Sequence, residues 1–154
     1  MPVRVVFVCM GNICRSPMAE AVFKKMVEEA GLDGQVSVDS CGTGGWHAGE
    51  QPHPGTRAVL DEHAVPYHHQ ARQITPADLA QADYLVAMDN ENLSDIRRMG
   101  TTAAELALLM SYAPDATSRE VPDPYYSNRF DEVYDLVRAG CRGLLAHIRR
   151  EENL

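Results

Sequence analysis

Basic tracts are missing from this 154-residue chain: 22 aspartate and glutamate residues outnumber 14 lysine and arginine residues, leaving a net charge of −8. A nucleic acid or an anionic membrane surface therefore meets no electrostatic footprint, and any affinity for anions must be local. Strongly acidic partners would need a positive rim, and none is evident in the sequence. Long apolar runs are missing too. Nothing approaches the ~20 residues of a membrane span, and Met1-Pro2-Val3-Arg4 leads into an apolar strand pattern without signal-peptide character. Cysteine is scarce and scattered, at positions 9, 14, 41 and 141 only. That is no disulfide framework, and it fits a reducing cytoplasm. No C-x2-C or H-x3-H pair follows Cys9 and Cys14, and His47, His68 and His69 are too dispersed to complete a site, so neither a metal nor another cofactor is expected.

What is present is an alternation of strand and helix signals without repeats, linkers or low-complexity segments. A single domain over residues 1–154 is expected, large enough to bury a core unaided and to act as a monomer. Val3 to Val8 is short, β-branched and almost uninterrupted in apolarity, which suits a strand buried on both faces of a parallel sheet. Further strands are expected at Val36–Ser40, Tyr84–Met88 and Leu106–Leu109. Helices are expected from Met18 to Val27, over 54–63, 75–82 and 90–99, and as a long amphipathic element from Arg129 to Arg150. The glycine-rich stretch 42–54 and the proline-bearing stretch 113–128 read as loops. The pattern predicts an α/β fold: a four-stranded parallel sheet flanked by helices on both faces, with ligands bound beyond the strand carboxyl ends.

The most informative segment is Cys9-Met10-Gly11-Asn12-Ile13-Cys14-Arg15-Ser16, lying between the first strand and the first helix. Ser16-Pro17 offers a capping hydroxyl and a proline suited to the first helical position, though Glu20 stands one residue too far on for a capping box. The loop therefore sits on a helix N-terminus, where free N–H groups and the positive dipole end favour an anion such as phosphate. Backbone N–H groups from Met10 to Arg15 and the Arg15 guanidinium can hold an oxyanion against Cys9, whose surroundings favour a thiolate.

C-x5-R-S directly after the first strand resembles the signature loop of the low-molecular-weight protein tyrosine phosphatases, and the similarity runs in order through nearly the whole chain. Asp123-Pro124-Tyr125-Tyr126 resembles that family's general-acid loop, Trp46 falls where the family has an aromatic wall, and Ser40, His69 and Asp89 stand at matching spacings. The resemblance implies a phosphatase acting on phosphotyrosine proteins and small aryl phosphates through a cysteinyl-phosphate. Cys9 is its nucleophile, Arg15 holds phosphate and stabilises the transition state, and Asp123 is its general acid and base. It also implies that Ser16 donates to the thiolate, that a left-handed Asn12 is tied to Ser40 and His69, and that Trp46, Tyr125 and Tyr126 wall the substrate slot. Cys14 is implied as a reversible disulfide partner for Cys9. Inorganic phosphate and other oxyanions are expected inhibitors.

Competing readings share the loop. An arsenate reductase needs a further cysteine pair after the third strand, and Met88 to Thr102 contains no cysteine. A plain phosphopeptide binder needs neither nucleophile nor acid. The phosphoarginine phosphatase branch of the same family carries threonine where this chain has Ile13, a departure that favours phosphotyrosine.

Overall fold

The β-branched run at the start becomes a central strand. In the computed structural model, which describes residues 2–154, β1 (Val3–Cys9) lies between β2 (Val36–Gly42) and β3 (Tyr84–Ala87). β4 (Glu105–Leu108) pairs with β3, all pairings are parallel, and the order is β2-β1-β3-β4. Val5, Val6, Phe7 and Val8 are all fully buried, as a strand covered on both faces requires. Side-chain alternation then sorts them. Val5 and Phe7 join a core shared with α1 (Arg15–Glu29), α2 (Pro54–Glu62) and α5 (Phe130–Glu151). Val6 and Val8 face the opposite side, where α3 (Pro76–Gln81) and α4 (Asn90–Met99) contribute Leu79 and Ile96. The expected parallel four-stranded sheet with helices on both faces is the architecture observed.

Several boundaries differ from the periodicity reading. β2 continues to Gly42, because its last residues keep pairing with Val8 and Cys9. β4 starts at Glu105, and Leu109 leaves the strand for a short 3₁₀ turn (Leu109–Tyr112), in which the Ser111 hydroxyl donates to the Leu108 carbonyl at 2.6 Å. Leu109 is buried either way, so apolarity alone did not reveal the switch. α1 begins at Arg15, with Cys14 at the cap position and no side-chain cap, so Pro17 is its third residue and Ser16 does not cap it. The Ser16 hydroxyl is engaged elsewhere, as described below.

Because β1 is flanked by β2 on one side and β3 on the other, the chain reverses its winding direction there. The crevice at this switch point opens at the carboxyl ends of β1 and β3. Those ends deliver Cys9 and, just past β3, Asp89. Among the described residues, no helix is long and apolar enough to cross a membrane.

Candidate active site

The loop leaving β1 curls back on itself around Asn12. This residue is fully buried with φ +58°, a left-handed conformation that asparagine tolerates better than most side chains. The turn aims the Asn12 N–H at Cys9 Sγ, 3.3 Å away. On its other side the sulfur lies 3.0 Å from Ser16 Oγ, in the first turn of α1. Cys9, Ser16 and the amino end of α1 thus meet at one buried point.

The Asn12 side chain holds this arrangement to the sheet. Its Nδ2 donates to Ser16 Oγ at 2.8 Å and to Ser40 Oγ at 3.0 Å, while its Oδ1 accepts the Arg72 N–H at 2.9 Å. His69 reaches the same residue through the backbone: its Nε2 lies 2.9 Å from the Asn12 carbonyl oxygen. With Asn12 already donating to its hydroxyl and Cys9 beside it, Ser16 has no reason to turn toward the helix end. Gly42 is needed alongside, since a Cβ there would sit 2.7 Å from the Met10 carbonyl and 3.1 Å from the Asn12 N.

Arg15 is 3% exposed and its guanidinium is fixed from the far side. Its Nη1 donates to Asp89 Oδ2 at 2.6 Å and to the Val121 carbonyl at 3.0 Å. Asp89 is itself held, because its Oδ1 caps α4 by accepting the Asn92 N–H at 2.8 Å. Burial pulls the Arg15 pKa down, but nearby Cys9, the Asp89 hydrogen bond and Asp123 outweigh it and leave the net shift upward. The proline-bearing loop is pinned by the same residue, since the Val121 N–H donates to the Met88 carbonyl at 2.9 Å. That anchor brings Asp123 across the crevice, its Oδ2 3.8 Å from Arg15 Nη2, while its Oδ1 accepts the Tyr125 N–H at 3.0 Å.

These groups line one cleft of about 250 Å³ that also includes Met10, Gly11, Ile13, Cys14, Trp46, His47, Tyr125 and Tyr126. The aromatic residues stand at its mouth: Trp46 is 72% exposed and Tyr126 87%. The Trp46 indole folds over Gly44, where a Cβ would collide with the ring. Tyr125 and Tyr126 meet edge to face with centroids 4.9 Å apart. Cys14 is buried behind the loop. Its thiol is pushed up to about 12 by burial first, then by nearby Cys9 and Asp123. Among the described residues, no group of three His, Cys, Asp or Glu side chains is placed to hold a metal ion.

Two charge clusters behind the loop, one buried around Glu20 and one half-buried around Arg72, escaped sequence reasoning. Glu20, 6% exposed, accepts the Ser40 hydroxyl at 2.6 Å and Lys24 Nζ at 3.0 Å, and lies 3.3 Å from His69 Nδ1. Burial raises its pKa, yet the bonds from His69, Ser40 and Lys24 prevail and hold its carboxyl below the usual range. Glu20 and Lys24 stand four apart, which in sequence reads as a solvent-facing pair. Further along, Arg72 forks onto Asp78 at 2.9 Å through both terminal nitrogens and onto Asp39 at 2.9 Å. Its carbonyl accepts the Gly42 N–H at 2.8 Å. This ion triad straps residues 71–74 across the end of β2 and so places the N–H that Asn12 uses. No local pattern marks it, because its members come from three separate elements.

Residues 4–154 match the family described as low molecular weight phosphotyrosine protein phosphatase. The low molecular weight protein-tyrosine-phosphatase of Streptomyces coelicolor is 48% identical over 158 residues, covering 98% of this chain and 96% of its own. The low molecular weight protein-tyrosine-phosphatase YfkJ of Bacillus subtilis is 43% identical over 155 residues, covering 99% of each chain. The YfkJ crystal structure superimposes with a TM-score of 0.95 over 98% of this chain and 97% of that one. The crystal structure of DARP, a drosophila arginine phosphatase, matches with a TM-score of 0.88 at 32% identity, covering 94% of this chain and 97% of its own.

Proposed function

The chain belongs to the low molecular weight phosphotyrosine protein phosphatase family and is a metal-independent, cysteine-dependent phosphotyrosine phosphatase, and we propose that Cys9, Arg15 and Asp123 carry its chemistry on phosphotyrosine proteins and small aryl phosphates. The observation behind this assignment is the convergence of the Cys9 sulfur, the Arg15 guanidinium and the Asp123 carboxylate on one cleft with aromatic walls.

In the first step the Cys9 thiolate uses a sulfur electron pair to form an S–P bond while the P–O bond to the phenol breaks. Arg15 and the other loop N–H groups between Met10 and Arg15 hold the three equatorial oxygens, while the Ser16 hydroxyl and the Asn12 N–H steady the sulfur. The departing phenolate has a pKa of about 10, so its expulsion near neutral pH calls for a proton, which Asp123 supplies as the carboxylic acid. In the second step the Asp123 carboxylate takes a proton from water as its oxygen attacks phosphorus. The S–P bond breaks with its pair returning to sulfur, and inorganic phosphate leaves, itself an oxyanion that inhibits by rebinding the same cradle.

Trp46 and Tyr125 define a slot that favours a flat aryl ring over an alkyl chain. Cys14 serves as redox partner: a peroxide converts the Cys9 thiolate to sulfenic acid, and the Cys14 thiol displaces water from it to form a disulfide. Similarity to an arginine phosphatase makes phosphoarginine the second substrate class to test. Ile13 offers only apolar surface to a guanidinium. The deciding experiment is phosphate release, in the presence of a chelator, from matched phosphotyrosine, phosphoserine and phosphoarginine peptides by the wild type and Cys9→Ser. Turnover of phosphotyrosine alone, lost in Cys9→Ser, is expected. Preferred turnover of phosphoarginine would move the chain to the second class, and activity retained in Cys9→Ser would overturn the nucleophile.

A further inference from the structure

Beside the catalytic cleft lies a second one of about 300 Å³, sharing Ile13, His47 and Tyr125 with the first and completed by Glu50, His53 and Arg57. Tyr125 is the partition between them. His53 forms a rigid floor: its ring meets Tyr125 edge to face at 5.7 Å and stacks on Phe130 at 4.9 Å, while its Nδ1 accepts the Gly55 N–H at 3.0 Å. On the rim, His47 Nδ1 lies 2.8 Å from Glu50 Oε2, so that carboxylate is already engaged within the protein.

Arg57, on the first turn of α2, is different. Its Nε–H donates to the Pro52 carbonyl at 3.0 Å, which fixes the plane of the guanidinium. Its terminal nitrogens have no carboxylate partner among the described residues, unlike those of Arg15 and Arg72. A half-buried, oriented fork with open donors matches a carboxylate in bidentate geometry.

We propose that this cleft reads a glutamate or aspartate flanking the phosphotyrosine of a peptide substrate, with Arg57 as the specificity-determining residue. The inference rests on the proposed phosphotyrosine reaction in the neighbouring cleft. Consecutive Cα atoms are only about 3.8 Å apart. A residue one or two positions from the phosphotyrosine therefore crosses the width of a single ring, Tyr125, to reach the second cleft. A protein of net charge −8 repels acidic segments at long range, so an uncompensated cation at this rim is where an acidic flank finds its match.

The test compares kcat/KM for phosphotyrosine peptides carrying glutamate, glutamine or lysine at the positions on either side. The wild type, Arg57→Gln and Arg57→Glu are assayed, each normalised to its own turnover of para-nitrophenyl phosphate, which has no flanking residue. The wild type is expected to favour the glutamate peptide over the lysine peptide about tenfold, Arg57→Gln to lose most of that preference and Arg57→Glu to invert it. Equal rates for the three peptides in the wild type, or a preference unchanged in Arg57→Gln, would overturn the inference while leaving the phosphatase reading intact. Absence of turnover of every phosphotyrosine substrate by the wild type would instead overturn the reading on which it rests.

Discussion

Asn12 is the residue whose removal separates backbone from side-chain effects, because Asn12→Ala and Asn12→Gly delete the same amide while differing in their tolerance of φ +58°. A left-handed residue other than glycine costs roughly 1–2 kcal/mol. About 0.4–1 kcal/mol of this is offset because alanine restricts the unfolded chain more than glycine does. The Gly variant should therefore be the more stable of the two by roughly 0.5–1 kcal/mol. Both lose the acceptor for the Arg72 N–H and two donations to Ser16 and Ser40, bonds of 2.8–3.0 Å in a buried setting. At about 0.5–1.5 kcal/mol for each bond, the Ala variant should lose roughly 2–4 kcal/mol of stability in all. Urea unfolding of the three proteins measures this directly, with turnover of para-nitrophenyl phosphate in parallel. Since Ser16 loses its fixed place beside Cys9, kcat/KM should fall at least about tenfold in both variants, equivalent to ~1.4 kcal/mol. Refutation would be an Ala variant within about 1 kcal/mol of wild type, or one more stable than its Gly counterpart.

Asp123→Asn should slow phosphate esters with poor leaving groups by about 10² or more and those with good leaving groups far less, as read from kcat across a series of aryl phosphates; an equal loss across the series removes Asp123 from the acid role. Peroxide inactivation should be reversed by dithiothreitol in the wild type but become largely permanent in Cys14→Ser, and full recovery in that variant would end the disulfide assignment. Stability should also be bounded at both ends of the pH scale. Glu20 and Asp78 have folded pKa values held below the unfolded ones, so their stabilisation is complete above about pH 4.3 and is lost as pH falls through the folded values. Burial pushes up the thiols of Cys14, Cys41 and Cys141, so stability should decline as pH rises past about 8.5, toward the raised folded values. Urea midpoints against pH check this, and Glu20→Gln should blunt the acid limb; an unchanged acid limb in that variant would show that Glu20 does not set it.

Much of the fold was legible because its signals are local. An uninterrupted β-branched run can satisfy its apolar side chains only when covered on both faces, which makes β1 central and the sheet parallel. The 3.6-residue stripe through Val133, Val137, Cys141, Leu144 and Ile148 fixed α5 to within one residue at each end. Other local signals are ambiguous between two structures. Leu109 is equally buried in a strand or a 3₁₀ turn, and Ser16 carries a hydroxyl suited to a helix cap but is claimed by Asn12 and Cys9.

By itself the sequence determined that a cysteine, a turn-forming asparagine and an arginine share one short loop on a helix N-terminus, since eight consecutive residues cannot be far apart. It did not determine what surrounds that loop. Asp89 and Val121 aim the Arg15 guanidinium, Glu20 and His69 hold the rear of the cradle, and the Arg72 triad with Asp39 and Asp78 sets the N–H on which Asn12 rests. Charge partners drawn from elements dozens of residues apart leave no periodic trace, and a buried carboxylate such as Glu20 reads in sequence like a solvated one. Only the packing of the chain around the β1–β3 crevice decides which charges are desolvated and paired, and which one, Arg57, is left with open donors beside the catalytic cleft.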